Sequence, residues 1–192
     1  MFGVMPDYQT VRDPHSNVTA MTSKEKWYLL VQETIDPFNI TSALLGAGMS
    51  QMGNQTPKYG IGTVAMGKRM GAAVADLNTQ NFFAVGLQCM LHQDPRYYRK
   101  GPEYNVLKRT VYSISRLAII RKDSGKDTFN SSGLFGMALG IGASNLYYPS
   151  ASANTGVMMG RLNSSLQSGV IGNLMSEFWP DIQQKFFHRR HH

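Results

Sequence analysis

Two long stretches of this chain, Pro37 to Pro57 and Thr128 to Gly160, contain no Asp, Glu, Lys or Arg, and glycines punctuate both. Uncharged segments rich in small residues and studded with Ser, Thr and Asn suit close contact between helices: a missing side chain lets two backbones approach, and hydroxyls bond across the seam. They also narrow the alternatives. The best candidate for a membrane span, Gly133 to Tyr148, holds only 16 residues and includes Ser144 and Asn145, which is short of the roughly 20 apolar residues that a bilayer requires. Strands of a membrane barrel alternate outward and inward residues, whereas Leu134-Phe135 and Met158-Met159 place apolar residues side by side.

The expectation is an all-α fold: a compact bundle of five to six Gly-rich helices in a single domain, with residues 1–21 as an extended arm and 182–192 as a basic tail. At 192 residues the chain can bury a substantial core without disulfides or metals. The arm carries Pro6 and Pro14 and no helical period, and Phe2, Val4, Met5 and Tyr8 are its expected anchors. Thr22 or Ser23 should cap a first helix with Trp27, Leu30, Val31 and Thr34 to Ile35 on its apolar face, ended by Asp36-Pro37. A second helix runs from Phe38 to about Met52. A third runs from about Thr63 toward Leu91, with a candidate break near Leu77 to Gln80. A fourth opens at Pro102, a fifth spans Ser131 to Tyr148, and the last runs from about Ala153 until Pro180 kinks or ends it. No hairpin is expected. Gly67 and Gly71, Gly136 and Gly140, and Gly156 and Gly160 each fall four apart. A helical glycine costs about 1 kcal/mol relative to Ala, so these six are expected at helix-packing seams.

Charged residues make up 16% of the chain, against roughly 25% in a typical soluble domain. More of this surface than usual is therefore expected to face protein or lipid. The net charge of +7 is concentrated: residues 94 to 127 hold nine Lys and Arg against four acids. Leu107, Val111, Ile114 and Ala118 repeat at helical spacing, with Arg109 and Arg116 on the opposite side. The expected element is a basic-backed amphipathic helix from about Glu103 to Arg121. With its apolar stripe in the core, Arg96, Arg99, Lys100, Arg109, Arg116 and Arg121 would face an anionic partner. The bland alternative is a solvated charged face.

Patterns that would announce an enzyme are missing. Gly125-Lys126 is followed by Asp127 and has no glycine five positions earlier, Gly140-Ile-Gly142 lacks the third glycine of a dinucleotide turn, and Ser50 misses the nucleophile-elbow spacing. One cysteine, Cys89, reads as a small buried hydrophobe, and His15, His92 and the terminal His188, His191 and His192 do not form a zinc pattern. The expectation is no metal and no cofactor. The remaining constellation is His92, Asp94, Arg96, Tyr97, Tyr98 and Arg99. In an alternative reading, His92 and Asp94 form an acid–base pair of a lipid- or phosphate-directed hydrolase or transferase. Against it, Asp94 can cap a turn or pair with an arginine, His92 can end a helix, and no nucleophile accompanies them.

The series Phe2-Gly-Val-Met-Pro-Asp-Tyr8, Asp36-Pro-Phe38, Tyr59-Gly-Ile-Gly62, His92-Gln-Asp-Pro-Arg-Tyr-Tyr-Arg99, Ser144-Asn-Leu-Tyr-Tyr-Pro149 and Glu177-Phe-Trp-Pro-Asp181 covers nearly the whole chain. It resembles an exported bacterial protein family of acidobacterial type, with Asp7 standing where that family has Asn. The resemblance implies export to the cell envelope, with the signal peptide removed, and transfers no catalytic residue. The expected role is a non-catalytic structural or accessory subunit, docked on a membrane protein, a larger envelope complex or an anionic lipid surface. Nucleic acid bound through the same basic segment is the less favoured partner.

Overall fold

The computed structural model describes residues 7–12, 18–37, 39–41, 62–146 and 155–187. The fold is all-α in class, and strand among the described residues is confined to two short pairs. After a 3-10 turn at Asp7–Gln9 come strand β1 (Thr10–Val11), helix α1 (Ser23–Ile35), helix α2 (Thr63–Leu91), strand β2 (Tyr97–Tyr98) and helix α3 (Val106–Ser115). They are followed by strands β3 (Ile119–Arg121) and β4 (Asp127–Phe129), helix α4 (Ser131–Ser144) and helix α5 (Thr155–Phe187). Residues 37 and 39–41 are helical; the remainder of the expected second helix lies outside the described residues, as do His15, His188, His191, His192 and the anchors Phe2, Val4 and Met5.

Helix starts follow side-chain chemistry. Thr22 and Glu25 close a reciprocal capping box on α1, with the Thr22 N–H donating to Glu25 Oε2 at 2.7 Å. Asn105 accepts from the Lys108 N–H at 2.8 Å to start α3, and Asn130 accepts from the Gly133 N–H at 3.0 Å to start α4. Helix α3 is therefore shorter than expected, beginning at its Asn105 cap instead of Pro102. Helix α2 runs unbroken through Leu77 to Gln80, where Asn78 Nδ2 and Thr79 Oγ1 donate back to the Val74 and Ala75 carbonyls. It stops at His92, whose left-handed backbone (φ 54°) forms the cap.

Among the described residues the most extensive helix contact joins α2 to α4. A Cβ added at Gly136 would lie 2.7 Å from the Ala84 backbone, and one added at Gly140 would lie 2.7 Å from Gln80 Cα. The expected glycine seam exists at these two positions. It does not at Gly67, Gly71 and Gly160, which meet nothing within 4 Å, while Gly156 is exposed. The α4 face turned inward carries Ser132, Gly136, Gly140, Ile141 and Ser144, so the large Phe135 and Leu139 point outward. On α1 likewise, Lys26, Leu29 and Leu30 are buried whereas Val31 and Ile35, expected in its core stripe, are exposed. Cys89 is only half-buried.

Two further expectations are corrected. The Lys122 to Lys126 run makes the expected turn, with Gly125 at φ +83°, but it joins an antiparallel hairpin in which Ile119 faces Phe129 and Arg121 faces Asp127. Gln93 ties this hairpin to α4: its Nε2 donates to the Phe129 carbonyl at 2.8 Å and its Oε1 accepts from the Ser132 N–H at 3.0 Å. The buried Lys26 ties it to α1 through Asp123 at 2.8 Å. Helix α5, for its part, continues to Phe187, so residues 182–187 of the expected tail are helical and Pro180 does not end it. Proline removes one backbone donor there, but guanidinium groups hold both sides of the site. Arg99 and Arg109 donate to the Glu177 carbonyl at 2.8 and 2.9 Å and also bind the Asp181 carboxylate.

Candidate functional site

Helix α3 is turned the opposite way from its hydrophobic pattern. Arg109, Ser113 and Arg116, spaced four and three apart, face inward and are buried, while Leu107, Val111 and Ile114 are 73%, 59% and 47% exposed. The cause lies on α5, where Glu177 and Asp181 stand four residues apart and present two carboxylates on one face.

Glu177 is fully buried at 0% exposure. Its Oε1 accepts from Arg109 Nε at 2.8 Å and the Gly101 N–H at 3.2 Å, and its Oε2 accepts from the Lys100 N–H at 2.9 Å and the Tyr97 hydroxyl at 3.0 Å. Arg109 Nη2 reaches Asp181 at 2.6 Å, and its guanidinium stacks over Phe178 at 4.4 Å. Burial pushes the Asp181 pKa up, but Arg99 and Arg109 outweigh it and hold the carboxyl below its usual range. Burial next to Glu177 raises the Tyr97 pKa, keeping its hydroxyl a donor. A satisfied buried network of this kind outweighs the apolar preference of one short helix, because each unpaired ion would cost several kcal/mol.

Above the network lies a cleft of about 380 Å³ whose lining includes Tyr98, Lys100, Glu103, Tyr104, Tyr112 and Arg121. Its cations rest on tyrosine faces: Lys100 Nζ lies 4.8 Å from the centroids of both Tyr104 and Tyr112, and Arg121 lies 4.4 Å from that of Tyr98. Lys108 covers Tyr104 from nearby at 4.7 Å. The rings are fixed in turn. Tyr112 donates to the Tyr98 carbonyl at 2.7 Å, and Tyr98 donates to Asp94 at 2.8 Å. Burial and the Asp94 hydrogen bond push the Tyr98 pKa up to about 12. Among the described residues no carboxylate forms a salt bridge with Lys100, Lys108 or Arg121.

Of the six cations expected to meet an anion, four therefore line one cleft: Arg99, Lys100, Arg116 and Arg121. Two of those four are committed, Arg99 to Asp181 and Arg116 to Asp127 at 2.9 Å. Arg96 pairs with Asp94 at 2.6 Å, and Arg109 is interior. The outward basic back of α3 is thus corrected to an outward apolar ridge beside a basic cleft.

The alternative acid–base pair is not assembled. Asp94 is buried and accepts from Arg96 and Tyr98, bonds that outweigh burial and lower its pKa, while His92 is an exposed helix cap. Sequence reasoning passed over Tyr104, Tyr112, Glu177 and Asp181; the interleaving of tyrosines with cations and the Glu177–Asp181 spacing were the available signals. Among the described residues no cluster of three His, Cys, Asp or Glu could hold a metal ion, and no helix is long and apolar enough to cross a membrane. No family model, curated protein or solved structure matches this chain.

Proposed function

We propose that this protein is a non-catalytic accessory subunit of the bacterial cell envelope that docks peripherally on an anionic membrane surface. The observation that carries this reading is the outward ridge of Val106, Leu107, Val111 and Ile114 on α3, continued by the exposed Ala118 and Ile119 and flanked by Lys100 and Lys108. An apolar row with cations beside it is the arrangement of an interfacial helix: side chains enter the acyl boundary while cations meet headgroups. A Leu or Val moved fully out of water contributes roughly 1.5–3 kcal/mol, and a cation near an anionic leaflet contributes about 1 kcal/mol. Four apolar side chains and two cations suffice for reversible binding without a transmembrane segment.

The test is co-sedimentation with phosphatidylcholine vesicles containing 30% phosphatidylglycerol. Wild type should pellet, and pelleting should fall with added salt and with phosphatidylcholine alone. Leu107→Asp/Val111→Asp should abolish it while leaving the melting temperature within a few degrees, because both side chains are exposed. Unaltered pelleting of that variant refutes the ridge as the membrane contact. Failure of wild type to pellet refutes membrane docking and leaves a membrane protein or envelope complex as the partner to be sought.

A further inference from the structure

We propose that the tyrosine-lined cleft beside α3 is a binding site for a phosphate group carried on a small hydroxylated body, such as glycerol phosphate. This deepens the membrane-docking reading, with which it shares Lys100, but the chemistry of the cleft stands apart from the ridge.

Lys100 and Arg121 carry the argument. Both line the cleft, and among the described residues neither forms a salt bridge with a carboxylate, although Glu103 and Asp127 share the lining. Asp127 is taken by Arg116 at 2.9 Å. Cations left without an acid partner on a surface normally sweep through many rotamers, and ordering them opposes binding. Here the ordering is already present. Lys100 is held over two rings and Arg121 over one, and the rings of Tyr98 and Tyr112 are pinned by hydrogen bonds from their own hydroxyls. The aromatic faces stabilise the charges without neutralising them. Arg121 also donates through Nε to the Gly125 carbonyl at 3.0 Å, which fixes the guanidinium plane and leaves both Nη atoms for two oxygens of one anion. Lys100 supplies the point charge for a third oxygen, a division of labour that suits phosphate.

The size and the remaining acid define the rest of the ligand. A space of about 380 Å³ exceeds what a bare phosphate fills and falls within the roughly 300–1,000 Å³ of small-molecule sites. Glu103 forms no salt bridge among the described residues, and its carboxylate lies against Gly101, where an added Cβ would meet it at 2.8 Å. A carboxylate on the rim repels a second anion but accepts hydrogen bonds from hydroxyls. The site therefore favours a phosphate joined to a polyol over a phosphate alone. A phosphate joined to a polyol occurs both in a phosphatidylglycerol headgroup, whose diester offers two unesterified oxygens with Lys100 sharing one of them, and in a soluble monoester, which offers all three.

Isothermal titration calorimetry with glycerol 3-phosphate and with inorganic phosphate, together with the vesicle assay, tests this. Glycerol 3-phosphate should bind saturably and more tightly than phosphate. Lys100→Met and Arg121→Met should each weaken it about tenfold or more, and Glu103→Gln, at an exposed position that leaves the fold intact, should bind inorganic phosphate severalfold better. No saturable binding of glycerol 3-phosphate, or affinities unmoved by all three substitutions, overturns the site. Leu107→Asp/Val111→Asp separates the two proposals. Loss of vesicles with soluble binding retained supports both. Soluble binding by a wild type that ignores vesicles supports the site as one for a free phosphate ester and sinks membrane docking. Ridge-dependent pelleting without soluble binding sinks the site alone.

Discussion

Replacing Glu177 by alanine should be among the most damaging single changes available to this fold. The carboxylate is at 0% exposure and receives Arg109 at 2.8 Å, the Lys100 N–H at 2.9 Å, the Tyr97 hydroxyl at 3.0 Å and the Gly101 N–H at 3.2 Å. Alanine would leave Arg109 with Asp181 and the Glu177 main-chain carbonyl, and the Tyr97 hydroxyl with Ser113 Oγ at 3.0 Å, but Arg109 Nε and the Lys100 and Gly101 N–H groups would lose their acceptor. Removing one partner of a buried pair costs about 3–5 kcal/mol. At this chain length each kcal/mol moves the melting temperature by about 2–4 °C, so a fall of about 6–20 °C is expected. Urea unfolding followed by far-UV circular dichroism measures the free energy directly. A cycle of Arg109→Met, Glu177→Leu and the double variant isolates the pair: the double variant removes both charges and should be more stable than the summed losses of those two singles predict, by at least about 2 kcal/mol. A Glu177→Ala loss below about 1 kcal/mol would refute the idea that this network decides which face of α3 is buried.

The glycines should divide sharply. Gly136→Ala and Gly140→Ala, whose new Cβ atoms would meet the α2 backbone at 2.7 Å, should each lower stability in urea melts by about 1–3 kcal/mol; Gly67→Ala and Gly71→Ala, with nothing within 4 Å, should raise it by about 0.5–1 kcal/mol each. Glu33 sets a pH dependence: burial, only partly offset by the Gln9 hydrogen bond and reinforced by nearby Asp36, pushes its pKa from the ordinary 4.5 up to about 7. The native state thus binds this proton more tightly than the unfolded chain, and the associated stability is present below pH 4.5 and lost as pH rises toward 7, by at most about 3 kcal/mol. Urea melts across that range should show the decline in wild type and a smaller one in Glu33→Gln; equal slopes would refute the assignment.

Much of the architecture was legible because it depends on local chemistry. Thr22 or Ser23 marks the start of α1, where the structure selects Thr22 in a capping box with Glu25, Asp36-Pro37 ends it, and α2 runs from Thr63 to Leu91 as expected. The seam at Gly136 and Gly140 was legible too, since two glycines four apart are costly in a helix unless something approaches them. Gly67 and Gly71 share that spacing without the contact, because periodicity shows which residues share a face and not what that face meets. The hairpin was missed since β3 and β4 are three residues each, too short for alternation to register. The inward arginines were missed for a different reason. The partners of Arg109 lie on α5, 68 and 72 positions away, and no local pattern reports a carboxylate at that distance; Asp127, 11 positions from Arg116, is brought to it by the hairpin that was missed.

The two reversed helices share a physical cause and a consequence. On α3, ion pairs demand that Arg109 and Arg116 face inward; on α4, close approach to α2 demands that Gly136 and Gly140 do. In each case the inner face is chosen by what must be buried, paired charge or bare backbone, and Leu107, Val111, Phe135 and Leu139 are left outside. A fold that uses its apolar side chains for its own core gains roughly 25 cal/mol per Å² of surface removed from water. One that leaves large apolar residues exposed in rows while burying ions forgoes that gain unless another surface covers them. With only 16% of residues charged, there is also little polar cover to keep such rows in water. In the proposed reading a partner covers these rows, and among the described residues the α3 row is the one flanked by cations held over aromatic rings, which is why the proposal places the membrane contact there.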